Sequence, residues 1–124
     1  MMKLTLVKIK HIVASMKRYA KRVDSNHAQI KQAFVYLGWK VEDLSRIGHG
    51  VPDLFCEKDP ENRCVWVEVK DGAKKPSARK LTEDENFWHY MFRKCGVVVR
   101  VIENVDQVKQ LDEEKASNSV ELDR

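Results

Sequence analysis

The stretch Val51-Pro52-Asp53-Leu54-Phe55-Cys56-Glu57, followed after a turn by Arg63-Cys64-Val65-Trp66-Val67-Glu68-Val69-Lys70, decides the fold. The second run alternates with a period of two, as an extended strand requires. Val65, Val67 and Val69 fall on one face, and Cys64, Trp66, Glu68 and Lys70 on the other. In the first run Asp53 and Phe55 share a face, while Leu54 and Cys56 take the opposite one. Residues 58–62, with Asp59, Pro60 and Asn62, read as the turn between the two strands. The valine face is predicted to lie under a helix.

Working outward, residues 39–44 read as a strand and residues 45–51, with Gly48 and Gly50, as a loop. Residues 71–81 read as a second loop. Thr82, with Glu85 three residues on, forms a capping box for a helix lined by Phe87, Tyr90, Met91 and Cys95 and ended by Gly96. Residues 97–102 form an apolar run broken only by Arg100, as in a buried strand, and residues 103–111 form a short last helix. Upstream, Asp24, Ser25 or Asn26 caps a helix with the stripe Ile30, Ala33, Phe34 and Leu37, stopped at Gly38. The predicted class is α/β. Three strands form an antiparallel meander, and a fourth returns through a helix to pair in parallel, giving a central mixed sheet flanked by helices. Residues 1–22 add a basic helical extension, residues 23–111 hold the domain, and residues 112–124 form a disordered acidic tail.

The chain of 124 residues suits one core and is too short for two. Apolar residues at 43% and charged residues at 34% argue against wholesale disorder. No stretch approaches the ~18 apolar residues that cross a membrane. Three cysteines without framework spacing read as reduced thiols of a cytosolic protein, and the absence of any C-x2-C pair argues against structural zinc. The net charge of +4 hides a gradient, because residues 1–22 carry seven basic residues and no acid. A basic head points weakly to a polyanion partner.

The chemistry sits on the two quoted runs. Asp53 opens one strand, Glu68 follows fifteen residues later, and Lys70 stands two beyond it. Paired on one face, they place two carboxylates beside one ammonium. Mg²⁺ takes oxygen ligands, usually a few from protein with water completing the shell. Asp53, Glu68 and the backbone carbonyl of Val69 are the candidate donors. Lys70 is the candidate for positioning water or stabilising negative charge on a phosphate. Taken singly, each residue has a plain structural reading, and Glu68 and Lys70 could be an ordinary surface ion pair.

Val51-Pro52-Asp53 with Val67-Glu68-Val69-Lys70 resembles the PD-(D/E)xK nuclease superfamily. Asp24-Ser25-Asn26, Gln29-Ile30, Gly50-Val51-Pro52-Asp53-Leu54, Val67-Glu68-Val69-Lys70-Asp71-Gly72 and Leu81-Thr82 together resemble the stand-alone VRR-NUC nucleases of phages and prophages. The resemblance spans residues 23–111. It implies a restriction-endonuclease-like core of order α-β-β-β-α-β and a Mg²⁺-dependent DNA endonuclease, with Mn²⁺ able to substitute. It further implies activity on branched DNA such as four-way junctions, as a homodimer in the cytoplasm of a bacterial or phage-infected cell, with no membrane and no nucleotide cofactor. The implied metal ligands are Asp53, Glu68 and the Val69 carbonyl, and the implied catalytic lysine is Lys70. Gln29 stands where the family often carries a Glu on its first helix, and Glu85 where it often carries a Gln. The uncharged Gln29 leaves a second reading open, that of a catalytically weak DNA-binding or assembly module on the same fold.

Lys74, Lys75, Arg79 and Lys80 crowd the loop after the triad and suit phosphate contacts. Arg46 and His49, in the glycine loop before Asp53, are weaker DNA-contact candidates, and His27 is weaker still. Trp39, Trp66 and Trp88 are expected in the core. The N-terminal helix or the surface around residues 88–92 is the expected place for a dimer contact.

Overall fold

The computed structural model of the protein describes residues 25–114. The expected basic helical extension over residues 1–22 and the rest of the expected tail, from residue 115 onward, lie outside the described residues. The elements are α1 (Ser25–Tyr36), β1 (Lys40–Asp43), β2 (Leu54–Lys58), β3 (Arg63–Val69), α2 (Glu83–Lys94), β4 (Arg100–Ile102) and α3 (Val105–Asp112). A short 3-10 turn, Pro76–Arg79, sits inside the expected loop after β3.

The sheet runs in the order β1-β2-β3-β4. β1 with β2 and β2 with β3 are antiparallel, and β3 with β4 is parallel, as the strand–helix–strand return requires. Leu54 lies opposite Val67 and Cys56 opposite Val65, so one face of the central pair is apolar up to the Lys58–Arg63 pair at its far end. That face meets Ile30, Ala33 and Phe34 of α1 and Val105, Val108 and Leu111 of α3 in one buried cluster. Trp39 closes its edge, ring-on-edge to Phe34 at 5.7 Å.

The other face is covered as well. Phe55 stacks on Trp66 at 4.7 Å, and Trp66 on Phe92 of α2 at 4.9 Å. α2 therefore lies over the face that carries Glu68, and the end of β3, Val67 to Val69, is buried from both sides. Cys56 faces the core, while Cys64 and Cys95 are exposed, and no disulfide forms among them.

Two expectations need correction. The apolar run at residues 97–102 yields only a three-residue strand, and Val98 stands 65% exposed. β4 is the sheet's edge, so only one side of it is covered. Asp112, expected in a disordered tail, ends α3 and is anchored. Its Oδ1 accepts from Trp39 Nε1 at 2.9 Å and from Lys58 Nζ at 2.6 Å. Arg63 donates to the carbonyls of Leu111 at 2.8 Å and Asp112 at 2.9 Å. Arg63 thus adds a donor at the last carbonyls of α3, and Lys58 and Arg63 place cations at the negative end of the helix dipole.

Among the described residues, no helix is long and apolar enough to cross a membrane.

Asp112→Ala leaves the Trp39 indole N–H without its acceptor and the Lys58 ammonium with only the longer contact to Glu61. The expected loss is about 1–3 kcal/mol of unfolding free energy. Urea denaturation followed by tryptophan fluorescence measures it. An unchanged midpoint would show that α3 is held by its apolar face alone.

Candidate active site

Pro52 is buried and leads directly into β2, so Asp53 sits at the strand's mouth. Its backbone carbonyl accepts from Leu44 N at 2.7 Å, tying it to the end of β1. Its side chain turns to β3, where Oδ2 accepts from the Val69 amide at 2.8 Å. The β2–β3 ladder stops at Leu54–Val67, so Val69 lies beyond the last paired residue and the Asp53 carboxylate takes its amide instead.

Glu68 points from β3 to the side covered by α2 and is only 2% exposed. Lys70 follows the strand. Its Nζ donates to Glu85 Oε1 at 2.7 Å, so its ion pair is with α2 and not with Glu68. Glu85 is held in place by the predicted capping box. Its Oε1 accepts from the Thr82 amide at 2.9 Å, and its own amide donates to Thr82 Oγ1 at 3.1 Å. Asp53, Glu68, Val69, Lys70 and Glu85, with His27 and Ser45, line an open cleft of about 290 Å³.

Burial first, then the adjacent Asp53 carboxylate and then Glu85, push the Glu68 carboxyl up to about 10; Lys70 pulls weakly the other way. Burial also works to raise Glu85, but hydrogen bonds from Lys70 and the Thr82 amide outweigh it and hold that carboxyl below its usual range. Three carboxylates thus face one lysine across a partly dry cleft. Glu68 Oε1 is buried and has no hydrogen-bond partner. Oxygen donors that resist joint ionisation, with an unpaired buried oxygen among them, fit a hard divalent cation. Among the described residues no cluster of three or more His, Cys, Asp or Glu side chains stands ready to enclose an ion. The fitting set is therefore Asp53 and Glu68 with a backbone oxygen, and water completing the shell.

Gln29 is not among the residues lining the cleft, whereas His27 is. The core stripe of α1 runs through Ile30, Ala33 and Phe34, and His27 and Gln29 flank it on opposite sides at 100° per residue. Nothing in the sequence says which flank borders the site. His27 Nε2 lies 3.1 Å from Asp43 Oδ2. Asp43 in turn accepts from Ser45 N at 3.0 Å, Ser45 Oγ at 2.6 Å and Lys31 Nζ at 3.3 Å. Burial works to raise Asp43, but the Ser45 hydroxyl and amide, with His27, hold its carboxyl well below the usual range.

The basic candidates divide. Lys74, Lys75 and Lys80 are exposed, while Arg79 turns inward to Glu103 Oε2 at 3.2 Å. Arg46 and His49 are exposed in the glycine loop. That loop is stapled to α2, with Trp88 Nε1 donating to the His49 carbonyl at 3.1 Å. Gly50, at φ +85°, comes so close that a Cβ there would meet the Asp84 carbonyl carbon at 2.4 Å. Only glycine allows this approach.

A comparison with solved structures finds a VRR_NUC domain with 32% sequence identity and a TM-score of 0.50; the match covers 82% of this chain and 94% of that one. No protein-family model and no curated protein matches the sequence. At this identity and coverage the chain belongs to the VRR-NUC family of nuclease domains, and its mixed sheet between helices is the restriction-endonuclease-like fold.

The raised Glu68 carboxyl has a stability consequence. Between its ordinary value of 4.5 and about 10, the folded protein binds a proton that the unfolded chain does not. This group's contribution therefore falls as pH rises through that window. In chelator, Glu68→Gln is expected to melt several degrees above the parent at pH 8, with the gap closing toward pH 5. Thermal melts at the two pH values check it; a gap independent of pH would contradict the assignment.

Proposed function

We propose that this nuclease domain is a metal-dependent DNA endonuclease, selective for branched DNA, that hydrolyses phosphodiester bonds with Mg²⁺ or Mn²⁺. The observation that carries the reading is the placement of Asp53, Glu68 and Lys70 in one cleft, with Glu68 Oε1 buried and unpaired. Asp53 and Glu68, with the Val69 carbonyl, would hold the cation. When bound, it supplies Lewis-acid polarisation of a phosphate and a lowered pKa for water. Burial of Glu68 under α2 keeps water from competing for its oxygens. Lys70, oriented by Glu85, presents fixed positive charge to a phosphate in the cleft. Lys74, Lys75 and Lys80 provide exposed charge beside it for backbone phosphates, which gives affinity without sequence readout. Arg79 is committed to Glu103 and is assigned a structural role.

A homodimer fits the outward face of α2. Glu83, Phe87, Tyr90 and Lys94 follow one another at helical spacing, with Phe87 57% and Tyr90 50% exposed. Acid at one end and base at the other make the stripe self-complementary in antiparallel pairing. Glu83 then meets Lys94 of the partner subunit, and Phe87 meets Tyr90 of the partner subunit.

The second reading, a non-cleaving DNA-binding module, draws on the Lys70–Glu85 pair, which already neutralises the lysine. Cleavage of a four-way junction and of a linear duplex with Mg²⁺ or Mn²⁺ separates the two. Asp53→Ala and Lys70→Ala are each expected to lower the cleavage rate on the order of 10²–10³-fold, with junction binding retained. Salt-sensitive binding with no cleavage in either metal would establish the second reading.

For the dimer, sedimentation of Lys94→Glu is expected to show monomer, and of the double variant Glu83→Lys/Lys94→Glu to show dimer again. A parent protein that stays monomeric at all concentrations would exclude the interface.

A further inference from the structure

α2 and β3 meet through two matched spacings. Glu85 and His89 are four residues apart on the helix, about 6 Å along its axis. Glu68 and Lys70 are two residues apart along the strand direction, about 6.7 Å. The spacings are nearly commensurate, so two contacts form at once. Glu85 faces Lys70 at 2.7 Å, and His89 Nε2 faces Glu68 Oε1 at 3.9 Å.

The first contact is a made ion pair, but the second is not a made hydrogen bond, since 3.9 Å exceeds hydrogen-bond range. Yet both of its atoms are buried with no partner. His89 is also the one buried residue of α2, at a position where an amphipathic helix ordinarily carries an apolar side chain. Buried polar atoms without partners are rare and call for an explanation. The neighbouring groups leave few alternatives. Lys70 is taken by Glu85, and Asp53 offers only acceptor oxygens, one already used by the Val69 amide. His89 is thus the donor that faces Glu68.

We infer that His89 is a positioning residue, whose Nε2–H is aimed at Glu68 Oε1 and fixes the rotation of that carboxylate toward the divalent cation held with Asp53. The inference rests on the metal-dependent reading above. The helix then sets both functional groups of the Glu-x-Lys strand at once, the lysine through Glu85 and the carboxylate through His89. The 3.9 Å gap leaves room for Glu68 to complete the bond by a small rotation.

The test titrates Mn²⁺ alone into the full chain by calorimetry, without DNA. His89→Phe and His89→Met remove the donor while keeping an apolar body, and His89→Gln keeps a donor. Outer-shell partners of metal ligands typically tune affinity 10–100-fold, so the Mn²⁺ dissociation constant is expected to rise about 10–100-fold in the donor-less variants. In His89→Gln it should return most of the way to the parent value. Melting in chelator reports any packing defect separately, and either donor-less variant that folds suffices for the comparison. Parent-like Mn²⁺ affinity in a folded donor-less variant, or a His89→Gln protein as weak as His89→Phe, overturns the role of His89 alone. A parent protein that binds DNA but takes up no Mn²⁺ overturns the metal-dependent reading and this inference with it.

Discussion

The whole arrangement depends on the end of β3 being covered on both faces. Its valines lie against α1 and α3, and its opposite face, with Trp66 and Glu68, lies under α2. A strand with alternating polar residues would ordinarily leave that second face in water. Here the aromatic stack of Phe55, Trp66 and Phe92 brings α2 down onto the sheet. Glu68 is enclosed as a consequence. The packing that completes the fold is also what dries the carboxylate and raises its affinity for protons.

That enclosure loads the site with negative charge, and the surroundings answer it in a consistent way. Lys70 is matched to Glu85, the Val69 amide to Asp53, and Asp43 to Ser45, Lys31 and His27. Each carboxylate but one has a donor at hydrogen-bond distance. The exception, Glu68, is the most buried of them. A protein selected for stability alone would replace such a group with an apolar side chain, because a buried polar group without a partner is costly. The charge of Glu85 is absorbed locally by the lysine and the capping box.

Much of this was readable in one dimension. The period of two in residues 63–70 gave the strand and its two faces, and the Thr82–Glu85 box gave the start of α2 almost to the residue. The meander and the parallel return followed from the order of elements. Asp53, Glu68 and Lys70 were legible as a set because strand alternation fixes which side chains share a face. Less legible were the features set by neighbours far along the chain. The short exposed β4 depends on its being the sheet's edge. The fate of Arg79 depends on Glu103, and that of Asp112 on Trp39, Lys58 and Arg63.

The sequence by itself determined the elements, the faces of the strands and the residue types available for chemistry, because these follow from backbone periodicity and local capping. Only the tertiary structure decided which groups meet. Helix periodicity put His27 and Gln29 on opposite flanks of one stripe, and the way α1 crosses the sheet turned His27 toward the cleft. Alternation put Glu68 and Lys70 side by side, and the descent of α2 separated them, giving the lysine to Glu85 and leaving the carboxylate opposite His89. The physical reason is that local periodicity fixes directions relative to one element, whereas a site is made of distances between elements, and packing alone sets those.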